Sequence, residues 1–277
     1  MPADPKPESS AAAEKDTQQP KQGAAPKLAE LRVRILRQDG EAQPASRRWE
    51  EFSIERRRGM TVRDALSMIR DRPVTAQGDR VSPVCFEESC GGWTCGSCTI
   101  LIQEHAQLSC KARVDELAPK GQVITLQPLS KFPVLRDLVV DRSRVYEIRR
   151  GRHTWQAPGA QASHFAPREA VDARQQRELS LIAPCTGCDA CLEACPQFGS
   201  GFMGARTLNE LRLLSLTSTV QAPRHVESAM GRDGVADCGH AQNCVEVCPA
   251  GIPLVDSIQR LSWDTTKELI LGWLLGR

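Results

Sequence analysis

Residues Cys185–Pro196 read CTGCDACLEACP, and residues Asp237–Pro249 read DCGHAQNCVEVCP. The first stretch spaces its thiols C-x2-C-x2-C-x3-C-P, a run in which three cysteines serve one iron-sulfur cube and the fourth crosses to a second cube. A crossing ligand needs a partner run, and Cys238, Cys244, Cys248 and Pro249 supply one in the same register. Three residues after Cys238, where that run should carry its second thiol, stands Ala241. The crossing rule therefore predicts that Cys185, Cys188, Cys191 and Cys248 hold a 4Fe-4S cluster. Cys195, Cys238 and Cys244 are left for a 3Fe-4S cluster, because a fourth iron beside Ala241 would lack a protein thiolate and dissociate. The alternative is two 4Fe-4S clusters, with water or another side chain at the Ala241 corner.

A third set lies upstream. Cys90, Cys95, Cys98 and Cys110 are spaced C-x4-C-x2-C-x11-C, with Gly91, Gly92 and Gly96 between them. Four thiolates in a tight glycine loop suit a 2Fe-2S cluster, because backbone N–H groups can approach the sulfurs and tune the potential. A zinc knot is disfavoured, since zinc sites use paired C-x2-C-like spacings. Cys85 fits no run and is expected to be a buried, inert thiol. Each cluster moves one electron, so three in one chain make a wire between a two-electron chemistry and an acceptor. No catalytic triad or zinc-protease motif accompanies them. Gly199, Gly201 and Gly204 form G-x-G-x-x-G, but directly behind a Cys-Pro and not behind a strand, so a dinucleotide site is rejected.

Composition agrees with this chemistry. The 277 residues are 40% hydrophobic and 25% charged, which suits one or two globular domains. Lys plus Arg number 36 against 34 for Asp plus Glu, a balance that gives no reason to expect nucleic acid. The longest apolar run, Leu269 to Leu275, is far short of the roughly 20 residues needed to span a bilayer. No apolar signal region appears in residues 1–31, so twelve cysteines point to metal in a reducing cytosol and not to disulfides.

The chain reads as α+β. Residues 1–30, rich in Ala, Pro, Gln, Lys and Glu, are expected to be a disordered arm. Residues 31–137 form a small mixed domain: strands at Leu31, Val33, Ile35 and at Trp49, Phe52, Ile54; a helix opened by a capping box of Thr61 and Asp64; and short strands around Ile100 and Ile124. Residues 138–277 form a mainly helical domain; the character changes after Pro133, with helical periodicity at Leu135, Leu138 and Val139, then Leu179 to Ile182, Leu208 to Leu216 and Val255 to Leu271. Gly151 to Arg168 reads as a long connection.

The order of the three sites resembles the iron-sulfur subunit of succinate dehydrogenase and fumarate reductase, over about residues 31–277. Phe132 to Tyr146, Cys191 to Pro196, Phe202 to Gly204 and Asp237 to Pro253 are most similar to the Bacillus-type, menaquinone-linked branch. The resemblance implies a plant-type ferredoxin β-grasp domain followed by an α-helical ferredoxin domain. It implies a flavoprotein partner with covalent FAD and a membrane anchor, often with haem b, holding this chain peripherally on the cytoplasmic face of the membrane. Electrons would pass from flavin through 2Fe-2S, 4Fe-4S and 3Fe-4S to a quinone, menaquinone in this branch. Two positions depart from the ubiquinone-type pocket, whose Trp and His are here Ser200 and Gly239. Pro196 matches, and His240, one residue beyond the family's histidine, is the candidate to serve a quinol proton. The Arg142, Arg144, Arg149, Arg150, Arg152 cluster is read as a solvated helix face, with the flavoprotein or anionic lipid as alternative contacts. Leu269 to Leu275 either docks on the anchor or is buried in its own domain. The expected function is a succinate:menaquinone oxidoreductase subunit; a quinol:fumarate reductase running in reverse, or a soluble multi-cluster carrier, are the rivals.

Overall fold

Alternating apolar residues and one well-capped helix build the first half of the molecule. The computed structural model describes residues 30–152, 171–199, 201–217 and 222–276. Strand β1 (Glu30–Arg37) pairs antiparallel with β2 (Arg48–Glu55) over its full length, placing Val33 opposite Phe52. Helix α1 (Val62–Asp71) opens on Thr61, whose Oγ1 accepts the Asp64 N–H at 3.2 Å while the Asp64 carboxylate accepts the Thr61 N–H at 3.0 Å. There follow β3 (Thr99–Ile102), β4 (His105–Leu108), the single turn α2 (Val114–Leu117) and β5 (Ile124–Gln127). The sheet runs β2-β1-β5-β3-β4, with β1 and β5 parallel and the other neighbours antiparallel. Leu31, Val33, Ile35 and Phe52 from the sheet pack with Val62, Ala65, Leu66 and Ile69 from α1 into one core.

Next come β6 (Val134–Arg136) and β7 (Val139–Val140), a two-stranded ribbon. This corrects the helical periodicity expected at Leu135, Leu138 and Val139. Asp137, between the two strands, adopts a left-handed backbone (φ 48°), and its buried carboxylate accepts Arg37 Nε at 2.8 Å, Arg37 Nη2 at 3.1 Å and the Cys85 N–H at 2.9 Å. A bidentate pairing with a fully buried guanidinium outweighs local helical preference. Cys85 itself is half-buried, not buried as expected.

The second half is helical: α3 (Ser143–Gly151), α4 (Ala173–Ile182), α5 (Ala190–Ala194), α6 (Gly204–Thr217), α7 (Ala222–Ser228), α8 (Asn243–Glu246) and α9 (Leu254–Leu275). Leu208 and Leu211 of α6 pack with Ile258 and Leu261 of α9 in a core that continues into Ala106, Leu108, Leu129 and Phe132 of the first half. The halves are also pinned by polar contacts. Glu193 accepts the Ser130 N–H at 2.9 Å and the Lys131 N–H at 3.1 Å, and Lys111 Nζ donates to the Pro249 carbonyl at 2.9 Å. Of the expected disordered arm, residues 1–29 lie outside the described residues, and Glu30 already belongs to β1. Of the expected connection, Gly151 ends α3 and residues 153–168 lie outside the described residues. Among the described residues no helix is long and apolar enough to cross a membrane.

Candidate iron-sulfur centres

Of the first thiol set, Cys90, Cys95 and Cys98 lie on the loop between α1 and β3, and Cys110 follows β4. Three backbone N–H groups, of Gly92, Thr94 and Cys95, point at Cys90 Sγ from 3.3–3.4 Å. Those donors hold the exposed Cys90 thiol down to about 6, led by the Gly92 N–H and then the Cys95 N–H. Cys110 Sγ lies 3.3 Å from Cys98 Sγ, and burial, together with the Cys98 and Cys90 thiols, pushes Cys110 up to about 11. The loop's N–H groups converge on sulfur, as a cluster-bearing thiolate loop requires.

The two later runs sort their thiols between two cavities. Cys185, Cys188, Cys191 and Cys248 line one. Cys195, Cys238 and Cys244 line the other, together with Pro196, His240 and Ala241. Helix α5 explains the sorting on one side: Cys191 lies within it and Cys195 caps its end, so neighbouring thiols face different cavities. On the other side Cys244 lies within α8 and Cys248 follows it. The two runs share a backbone plan. Asp189, before α5, has φ 63°, and Gln242, before α8, has φ 65°. Ala241 thus stands where Cys188 stands in the first run, and His240 (φ 52°) where Gly187 (φ 68°) stands.

Burial pushes the thiols of Cys185, Cys188 and Cys238 up, Cys191 well up, and Cys244 up to about 11. A bound metal's positive charge is the kind of interaction that would offset this burial. Among the described residues no group of His, Cys, Asp or Glu converges tightly enough for a single ion. The thiols instead line two separate hollows, four around one and three around the other, a soft all-sulfur donor set whose chemistry fits iron-sulfur clusters.

Three features were not foreseen. A Cβ on Gly96, whose φ is +73°, would lie 2.8 Å from Cys188 Cα, so the first cluster loop meets the second backbone to backbone. Arg142, expected on a solvated face, is 11% exposed at its side chain; it donates to the Ser97 carbonyl at 3.2 Å and approaches Asp189 Oδ2 at 3.3 Å, bridging the same two loops. Arg149 and Arg152 are likewise engaged, with Glu210 at 2.6 Å and Asp233 at 3.6 Å. Only a charged residue just after a ligand cysteine, Asp189, hinted at this network. At Gly239 a Cβ would fall 2.1 Å from Gln197 Nε2, so Gln197 fills the space next to the family's missing histidine. Ser200, at the family's Trp position, lies outside the described residues. At the carboxyl end Leu269 and Trp273 are 63% and 82% exposed, which excludes burial of that end within its own domain.

Fold and thiols together define an iron-sulfur protein that joins a 2Fe-2S domain to a two-cluster helical domain. The family model described as a 2Fe-2S iron-sulfur cluster binding domain matches residues 32–147, and the 4Fe-4S dicluster domain matches residues 181–249. The succinate dehydrogenase iron-sulfur subunit of Bacillus subtilis is 36% identical over 243 residues, covering 86% of this chain and 93% of its own. The fumarate reductase iron-sulfur subunit of Wolinella succinogenes is 27% identical over 238 residues, covering 83% and 95%. A chain of the Mycobacterium smegmatis Sdh1 complex in the apo form has the same fold, with TM-score 0.71 at 21% identity over 87% of this chain and 97% of that one. The chain belongs to the succinate dehydrogenase and fumarate reductase iron-sulfur subunit family, and is a subunit of an enzyme of succinate dehydrogenase type.

Proposed function

We propose that this chain is the electron-transfer subunit of a membrane-bound succinate:menaquinone oxidoreductase. The observation that carries the proposal is the division of seven thiols between two cavities, four to one and three to the other, with Ala241 on the wall of the three-thiol one. Cys90, Cys95, Cys98 and Cys110 would hold a 2Fe-2S cluster; Cys185, Cys188, Cys191 and Cys248 a 4Fe-4S cluster; and Cys195, Cys238 and Cys244 a 3Fe-4S cluster. When bound, these groups supply one-electron carriage between a flavoprotein and a quinone. The protein's own residues set the path. Gly96 and Arg142 hold the first loop against the second, and helix α5 carries thiols to both later cavities. Pro196 and His240, on the wall of the three-thiol cavity, would meet quinone, with His240 the candidate to serve a quinol proton. The exposed end of α9 would lie against a membrane anchor, in this family often a haem b protein, keeping the chain peripheral on the cytoplasmic face.

Anaerobically purified protein should show a reduced 2Fe-2S signal and an isotropic oxidised 3Fe-4S signal by electron paramagnetic resonance. Colourless material carrying zinc, or a chain that purifies without flavoprotein or membrane, overturns the reading. Succinate oxidation and fumarate reduction measured on the same complex decide the direction. His240→Ala should slow quinone reduction with the clusters intact.

A further inference from the structure

The wall of the four-thiol cavity carries a cation that the ligand pattern does not need. Arg206 lies in the first turn of α6, where the positive end of the helix dipole disfavours a cation. Its side chain is 8% exposed, and Nη1 donates to Asp189 Oδ1 at 2.5 Å and to the Gly187 carbonyl at 3.0 Å. Both acceptors belong to the Cys185-to-Cys191 loop. A Cβ on Gly187 would come within 2.7 Å of Arg206 Nη2, so glycine there, at φ +68°, is what lets the guanidinium press onto that loop. Arg206 Nε–H is buried and donates to no protein acceptor. A buried pair of this kind contributes little to folding once desolvation is counted, and a buried donor without an acceptor is a cost. Both costs fall at the wall of the cavity lined by Cys185, Cys188, Cys191 and Cys248.

We propose that Arg206 raises the reduction potential of the cluster at this cavity, through its fixed charge and its free buried N–H. The inference rests on the ligand assignment proposed above. Gaining an electron adds one negative charge to a cluster, and a cation fixed in a low-dielectric wall stabilises the reduced form. An N–H aimed at cluster or ligand sulfur acts in the same direction. Asp189 opposes the cation, and Arg142, 3.3 Å from its other oxygen, tempers that opposition. The pair therefore sets the potential by the balance between one near guanidinium and one near carboxylate.

The two partners predict opposite signs, which a purely structural role would not. The test is a redox titration of the full chain with its clusters, following the four-iron signal by electron paramagnetic resonance in Arg206→Gln, Arg206→Lys and Asp189→Asn. Asparagine tolerates the left-handed backbone at this position. Arg206→Gln should move the four-iron midpoint to a more negative potential, and Asp189→Asn to a more positive one. Arg206→Lys, which keeps the charge without the fork, should fall between parent and Arg206→Gln. The 2Fe-2S and 3Fe-4S midpoints should move less than the four-iron midpoint. An unmoved four-iron midpoint, a shift of the same sign in both partners, or loss of the four-iron signal from both would show that the pair only shapes the loop. Absence of that signal from the parent chain would overturn the ligand assignment, and this inference with it.

Discussion

Ala241 shows how much chemistry one side chain withholds. It shares the cavity wall with Cys195, Cys238 and Cys244 and sits at the place where the first run puts Cys188, ahead of a left-handed residue and a short helix. Ala241→Cys adds a thiolate on a backbone already shaped for one. The expected outcome is loss of the isotropic oxidised 3Fe-4S signal and one more iron per chain by metal analysis. Gly96 is constrained by space as much as by angle. With φ +73° and Cys188 Cα 2.8 Å from an added Cβ, Gly96→Ala should cost at least the roughly 1–2 kcal/mol of a left-handed non-glycine residue. Urea denaturation should register that loss, and electron exchange between the first two clusters should slow as their loops separate.

Among the elements, α1 owes its start to a reciprocal pair. Burial disfavours the Asp64 charge, but the Thr61 N–H, the Thr61 hydroxyl and Arg63 outweigh it and hold the carboxyl below its usual range. A depressed carboxylate stabilises the fold above its unfolded pKa, and that stabilisation is lost as pH falls through the folded value. Thr61→Ala should cost about 1 kcal/mol at neutral pH by thermal denaturation, and its gap to the parent should narrow in acid. Helix α9 is divided along its length. Its first half is buried through Leu254, Ile258 and Leu261, and Val255 and Ile258 help line the three-thiol cavity. Leu269, Ile270, Trp273, Leu274 and Leu275 are exposed, the kind of apolar patch that marks an interaction surface. A chain ending at Glu268 should keep its stability within about 0.5 kcal/mol, as for other changes outside a core. Sedimentation should show it self-associating less than the full chain, because the sticky turns are gone.

For the whole molecule, the decisive contacts join the two halves. Glu193, inside the run from Cys191 to Cys195, accepts from Ser130 and Lys131 across that junction. Glu193→Ala leaves those donors without their charged acceptor and should cost about 2–3 kcal/mol in urea denaturation, with Glu193→Gln losing less. Limited proteolysis should then cut the segment near Ser130 faster than in the parent. Arg142 and Lys111 reinforce the same junction from α3's cap and from the loop after Cys110. One continuous core beneath these contacts, from Leu108 to Ile258, joins the halves into a single packed frame.

The sequence alone determined what depends on spacing along the chain. The grouping of the thiols, the period-two strands at Leu31 and Phe52, the Thr61 capping box and the long helices on Leu208 and Ile258 all follow from short covalent distances and repeat lengths. Tertiary structure decided what depends on distant partners. The Leu135–Val139 segment became a ribbon because Asp137 answers a guanidinium one hundred residues earlier in the chain. Arg142 left its solvated face because Ser97 and Asp189 converge on it, and Arg206 reached the cavity wall because Gly187 yields the room. Such contacts carry no periodicity of their own: they exist only once packing has brought together residues that the chain keeps far apart.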